Sequence, residues 1–146
     1  MKKIVFLLSF LIVSNLLATQ AFCEDNSPTQ IIERGLNAYK KFGAKAAVKA
    51  WIQGSAIEGS KEALSQANNL RQIEDFYGKY DSFEIIKINK ITEKVNIVSL
   101  VINYQNGPLF ARFDTFKNNK GQWVVPTFSF NTKITQIFPP EMVFGN

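Results

Sequence analysis

The sequence predicts an α+β fold, with three N-terminal helices packed on a curved, four-stranded antiparallel meander. Three observations carry this reading. Apolar residues recur at helical spacing between Pro28 and Tyr77. From Tyr80 onward the pattern changes to β-branched and aromatic runs punctuated by turn residues. The connections between those runs are short, which makes neighbouring strands antiparallel. Helices followed by strands is the α+β order, because a lone sheet must bury one face and the helices are the cover available.

Ahead of the fold, Met1 to Cys23 has the layout of a secretory signal peptide. Lys2 and Lys3 form a positive start, Ile4 to Val13 is apolar except for Ser9, and small residues follow at Ala18, Thr19 and Ala21. The apolar run is too short to span a bilayer. Cuts after Ala21 and after Cys23 both satisfy the small-x-small rule. Lipidation of Cys23 is a third outcome, opposed by Gln20 and Phe22 where small residues are needed. The expected organisation is a signal peptide over 1–23, a single domain over 24–133 and a C-terminal tail over 134–146. The protein is expected in the periplasm or secreted, with no transmembrane segment once the signal is removed.

Composition narrows the function classes. Cys23 is the only cysteine, so no disulfide forms within the chain and the core must hold the domain. Thirteen Phe, four Tyr and two Trp supply bulky apolar surface for that core. Without Lys2 and Lys3, fifteen basic residues face twelve acidic ones, an excess of three. No Lys/Arg run is longer than Lys40-Lys41, so no phosphate-tracking stripe is present and nucleic acid is not an expected partner. The absence of histidine removes the commonest general base and the commonest metal ligand. There is no dinucleotide fingerprint, P-loop, Cys/His cluster or serine elbow. No cofactor and no metal are expected.

Taken in order, Ser27-Pro28-Thr29-Gln30 reads as the first helix start, with Ser27 as N-cap, Pro28 in the first helical position and Gln30 completing a capping box. Ile32, Leu36 and Tyr39 give that helix one apolar face. Gly43 marks a stop or sharp bend. Ala44 to Gln53 is a second helix, with Ala47, Ala50 and Trp51 on one side, Lys45 and Lys49 on the other, and Gly54 as its close. After a loop to Gly59, Ser60 caps a third helix and Glu62 sits near its positive end. Leu64, Ala67, Leu70, Ile73 and Tyr77 form its buried stripe, and Gly78 ends it.

Strands are predicted over Tyr80 to Lys90, Val95 to Gln105, Leu109 to Lys117 and Gln122 to Lys133. Turns at Thr92-Glu93-Lys94, Asn106-Gly107-Pro108 and Asn118-Asn119-Lys120-Gly121 join them. The tail after Ile134, with Pro139-Pro140, is expected to be irregular. The sheet is expected to curl around the third helix as a cone with one open mouth.

Polar residues inside apolar segments are the candidates for binding. Alternation puts Phe110, Arg112, Asp114 and Phe116 on one strand face. There, Arg112 oriented by Asp114 is either an anion-binding group at a pocket floor or rim, or a solvated ion pair. Asn131 either lines the mouth or forms a turn. Trp51, Tyr77 and Tyr104 either line a pocket or pack the core with their polar ends outward. Arg71 lies at the margin of the third helix's stripe, reaching into the cone or solvated. These residues are the ligand-binding candidates, and no catalytic residue is assigned.

Helices followed by a curved antiparallel meander resemble the NTF2-like group within the cystatin-like α+β folds. The segments Gly107-Pro108-Leu109-Phe110-Ala111-Arg112-Phe113-Asp114, Gly121-Gln122-Trp123-Val124 and Phe128-Ser129-Phe130-Asn131-Thr132 resemble small exported bacterial proteins of unassigned function in that group. The resemblance implies a cone whose pocket serves isomerases and dehydratases in some members and pure binding or dimerising modules in others. The enzymes place an Asp, His or Tyr in that pocket, and no His is available here.

The first functional expectation is a noncatalytic envelope module that binds a small apolar or anionic ligand in the cone between sheet and helices. The alternatives are an interaction or dimerisation module using the open sheet face, and a metal-independent pocket enzyme of isomerase or dehydratase type using Asp114 or a tyrosine. Both sheet faces carry large apolar residues. Val95, Ile97 and Val101 oppose Val98, Leu100, Ile102 and Tyr104 in the second strand, and Trp123 and Val125 oppose Val124, Phe128 and Phe130 in the fourth. The face left by the helices is covered either by a second copy or another envelope protein, or by the tail with Ile137, Phe138, Met142, Val143 and Phe144.

Overall fold

In the computed structural model, which describes residues 27–145, three helices precede a four-stranded antiparallel sheet. The helices are α1 (Gln30–Phe42), α2 (Ala44–Ile52) and α3 (Lys61–Tyr77). The strands are β1 (Tyr80–Lys90), β2 (Val95–Tyr104), β3 (Gly107–Lys117) and β4 (Trp123–Asn131), paired in sequence order. The expected signal peptide, its cut and Cys23 lie outside the described residues.

Glycines set the helical half. Gly43 has φ of 81° and ψ of −176°, so the chain turns sharply between α1 and α2 in a conformation that L side chains rarely adopt. Ser60 caps α3 as expected, its Oγ accepting from the Ala63 N–H at 3.1 Å. Gly78 ends α3 at φ 84°, its N–H donating to the Glu74 carbonyl. The start of α1 differs from expectation. Thr29, not Ser27, is the N-cap, because Ser27-Pro28-Thr29 forms a separate turn in which the Gln30 N–H donates to the Ser27 carbonyl. No side-chain cap bond is made there, and Ser27 Oγ lies 3.0 Å from Thr29 Oγ1 instead.

The core lies between the sheet and α1 and α2, with Ala63, Ala67 and Leu70 of α3 joining it. Ile32, Leu36, Trp51, Leu70, Val98, Leu100, Ile102, Leu109, Phe113 and Val125 are all fully buried in it. α1 touches β1 and β4, α2 touches β4, and α3 packs on α2. The expectation that the sheet curls around α3 is thus corrected, since α1 and α2 occupy that place. The cause is the small-residue face of α3. Ala63 and Ala67 are buried and let α3 approach α2 closely, which turns Leu64 out to 53% exposure instead of into the stripe. α3 reaches the sheet with Tyr77, whose ring packs over Gly107, where a Cβ would stand 2.6 Å from it.

Two further strand-level differences have local causes. Gly107 and Pro108 already belong to β3, so the β2–β3 turn is Gln105-Asn106. The register shifts between Asp114 and Phe116, with Val125 and Pro126 of β4 set against Thr115 alone. Pro126 has no N–H to give a ladder, and the bulge there breaks strict alternation. Val125 and Phe128 therefore both enter the core, rather than lying on opposite faces.

The tail is ordered, not irregular. A short 3-10 turn (Ile134–Gln136) leads through Pro139 into α4 (Pro140–Phe144). Phe138 is 4% exposed and meets Phe110 edge-on, with ring centroids 6.0 Å apart. Phe110 lies on the sheet face turned away from the helices, so the tail supplies cover there.

Candidate functional site

The sequence candidates do not converge on one pocket. Trp51 is fully buried on α2, with Nε1 donating to the Ile32 carbonyl at 2.9 Å and its ring edge-on to Phe113 at 4.9 Å. Tyr104 is buried at the end of β2, its hydroxyl 2.9 Å from that of Tyr39. Tyr77 is half-buried beside it, ring centroids 6.4 Å apart. Burial holds the Tyr39 hydroxyl protonated far above the ordinary tyrosine value, with the Tyr104 hydrogen bond and Glu74 acting in the same direction. Burial also raises Tyr104, although its bond to Tyr39 pulls the other way. Neither ring is a proton acceptor near neutral pH.

Arg112 and Asp114 do form the expected pair. Nε donates to Oδ1 at 2.9 Å and Nη2 to Oδ2 at 3.3 Å. Because Leu109, Ala111 and Phe113 point into the core, the pair stands on the opposite face of β3. Its side chains are 42% and 30% exposed beside a shallow depression of about 220 Å³ shared with Thr127 and Ser129. At that exposure an ion pair contributes little to stability. Arg71 is solvated on α3, 3.9 Å from Asp75. Asn131 acts as a turn former, its Oδ1 accepting from the Lys133 N–H at 2.8 Å.

A better-formed site lies elsewhere, at the opening between the helices and the β3–β4 end of the sheet. A cleft of about 440 Å³ is walled by Gln30, Ile31 and Arg34 of α1, by Gln53 and Gly54 after α2, and by Lys120 through Val124. Arg34 comes from the polar side of α1, off the Ile32–Leu36–Tyr39 stripe. Lys120 is held by the β3–β4 turn, where Asn118 Oδ1 accepts from the N–H groups of Lys120 and Gln122 at 2.9 and 3.0 Å. The positive end of α1 opens on the same space through Gln30 and Ile31. Among the described residues that line the cleft none is acidic, and neither Arg34 nor Lys120 is ion-paired with a described residue. The side-chain amides of Gln30, Gln53 and Gln122 add donors and acceptors around the two cations.

Sequence reasoning missed this cleft. Arg34 and Lys120 each read as an ordinary solvated charge, and only the packing of α1 against β4 brings their segments together. Among the described residues no group of His, Cys, Asp and Glu could hold a metal ion, and no helix is long and apolar enough to cross a membrane. Compared with family models, curated proteins and solved structures, the chain matches none significantly.

Proposed function

We propose that the protein is an exported, noncatalytic binding module that holds a small anionic ligand, a carboxylate or phosphate, in the mouth between helices and sheet of an NTF2-like cone. The observation that carries this is the convergence of Arg34 and Lys120, from distant segments, on one cleft with no acidic residue among the described residues that line it. Arg supplies a planar fork for bidentate oxyanion recognition and Lys a mobile point charge. Among the described residues the one hydroxyl lining the cleft, on Ser27, lies beside Thr29 Oγ1, and no described Asp, Glu or His lines the cleft with it. A nucleophile without a base supports binding over catalysis.

Native mass spectrometry of protein taken from its own host, followed by calorimetric titration with inorganic phosphate and with a dicarboxylate such as succinate, tests the reading. Saturable binding that Arg34→Ala and Lys120→Ala each abolish, with unchanged melting curves, supports it. Absence of saturable binding to either anion, or binding indifferent to both substitutions, sinks it. A second reading, an interaction module, has its own observation in the exposed isoleucines of β1.

A further inference from the structure

β1 is an eleven-residue edge strand, paired with β2 on one side and with nothing described on the other. It also carries a run of exposed apolar side chains. Ile85, Ile86, Ile88 and the following Ile91 are 36%, 45%, 47% and 57% exposed. Leu100 and Val98, which lie opposite Ile85 and Ile88 on β2, are fully buried. The helical cover therefore thins out at this edge. A long apolar edge strand is a template for another strand.

Charge along β1 is divided. Asp81 and Glu84 occupy its first half, Lys87 and Lys90 its second. We propose that β1 pairs antiparallel with β1 of a second copy, about a two-fold axis between Ile85 and Ile86, making one continuous sheet across the dimer. In this register Glu84 stands opposite the partner's Lys87, and Asp81 opposite the partner's Lys90. Phe83 meets the partner's Ile88, Ser82 the partner's Asn89, and Ile85 the partner's Ile86. Every charged pair is complementary and the isoleucines cluster on the axis.

Of the two register shifts in β1, at Asp81 and at Ile86, the second makes this register work. Glu84 and Lys87 are an odd number of positions apart, so a regular strand would send them to opposite faces. The register with β2 shifts between Ile85 and Lys87, however. Glu84 then pairs with Val101 and Lys87 with Ser99, two positions apart on β2 and so on one face, away from the helices. Phe83 and Ile88 pair with Ile102 and Val98, both buried on the helix side. The opposed pairs Phe83–Ile88, Glu84–Lys87 and Ser82–Asn89 thus each share a face, as an antiparallel pair requires. Lys87 has no hydrogen-bond or ion-pair partner among the described residues, and Glu84 uses only Oε1, accepting from Asn103 Nδ2 at 3.1 Å. Lys90 already holds Glu93 at 2.6 Å, so the Asp81 contact adds a third charge to that pair.

Sedimentation equilibrium on the purified protein tests the proposal with three chains: wild type, Lys87→Glu, and Glu84→Lys combined with Lys87→Glu. Both side chains are exposed, so all three should melt alike at concentrations where each is monomeric. The expected result is a wild-type dimer, a dissociation constant raised about tenfold by Lys87→Glu because the axis repeats the like-charge contact, and recovery in the double charge swap. A wild-type monomer up to millimolar concentration overturns the proposal, and then Lys87 and the bulge act as guards against edge pairing. A dimer that ignores Lys87→Glu, or that the charge swap does not restore, overturns it as well.

Discussion

The hydroxyls of Tyr39 on α1 and Tyr104 on β2 meet 2.9 Å apart at the buried end of the core, joining the first helix to the middle of the sheet. Tyr80 stacks on Tyr39 at 5.2 Å between centroids, and Tyr39 Oη also lies 3.4 Å from the Leu70 carbonyl. The group ties α1, α3, β1 and β2 together through one ring. Tyr39→Phe leaves the packing in place and strands the Tyr104 hydroxyl. The expected loss is about 1–2 kcal/mol in urea unfolding, and an unchanged midpoint would show that the pair contributes nothing.

The same tyrosines make stability fall at high pH. Tyr39, Tyr104 and Tyr80 all have folded values raised above the ordinary 10.0, chiefly by burial. The unfolded chain therefore gives up its protons first as pH rises. Their contribution is fully present below pH 10.0 and drains away above it. Ultraviolet titration should show these phenols ionising together with loss of near-ultraviolet circular dichroism. Smooth ionisation of every tyrosine near the ordinary value with the fold intact would contradict this.

Trp51 and Phe113 form the centre of the core. Both are fully buried and in edge-on contact. Trp51→Ala and Phe113→Ala should each lose about 3–5 kcal/mol, and a double-mutant cycle should show coupling between them. Gly35 gives an independent check, because a Cβ there would fall 1.9 Å from Trp51 Nε1. Gly35→Ala should therefore destabilise by about 1–3 kcal/mol through overpacking, against alanine's higher helix propensity. A stabilised variant would mean that the indole does not sit over α1.

Arg112→Ala should change stability by less than about 1 kcal/mol, as expected of an exposed pair. If it also leaves phosphate or succinate binding unchanged while Arg34→Ala abolishes it, the cleft at the β3–β4 end is distinguished from the depression beside Asp114. Loss of binding in Arg112→Ala would move the site to the outer face.

Removing residues 134–146 uncovers Phe110, which Phe138 now covers. The shortened protein should bind a hydrophobic dye and aggregate at concentrations where the full chain is clear. A truncated chain that stays clear and binds no more dye than the full chain would show that the tail is dispensable cover.

Much of the architecture was legible because its causes are local. Ser60, Gly43 and Gly78 set helix ends by capping and backbone geometry alone, and the β-branched runs mark β1 to β3 to within two residues at each end. What was hidden depends on tertiary packing. Leu64 has the right spacing for the α3 stripe, yet Ala63 takes its place because α2 demands a close approach. Val125 sits in a bulge that strict alternation does not encode. The Arg34–Lys120 cleft needs α1 docked on β4 before either charge has a neighbour to act with.

The sequence-order pairing of β1, β2, β3 and β4 has a kinetic consequence. Each strand finds its partner across a short connection, so the sheet can assemble at little loop-closure cost. The β2–β3 hairpin has a two-residue turn at Gln105-Asn106 and is a ready nucleus. The ring contact between Trp51 and Phe113 joins segments far apart along the chain and belongs to a later stage of docking. Changes in that turn should slow folding, whereas truncating Trp51 should mainly hasten unfolding.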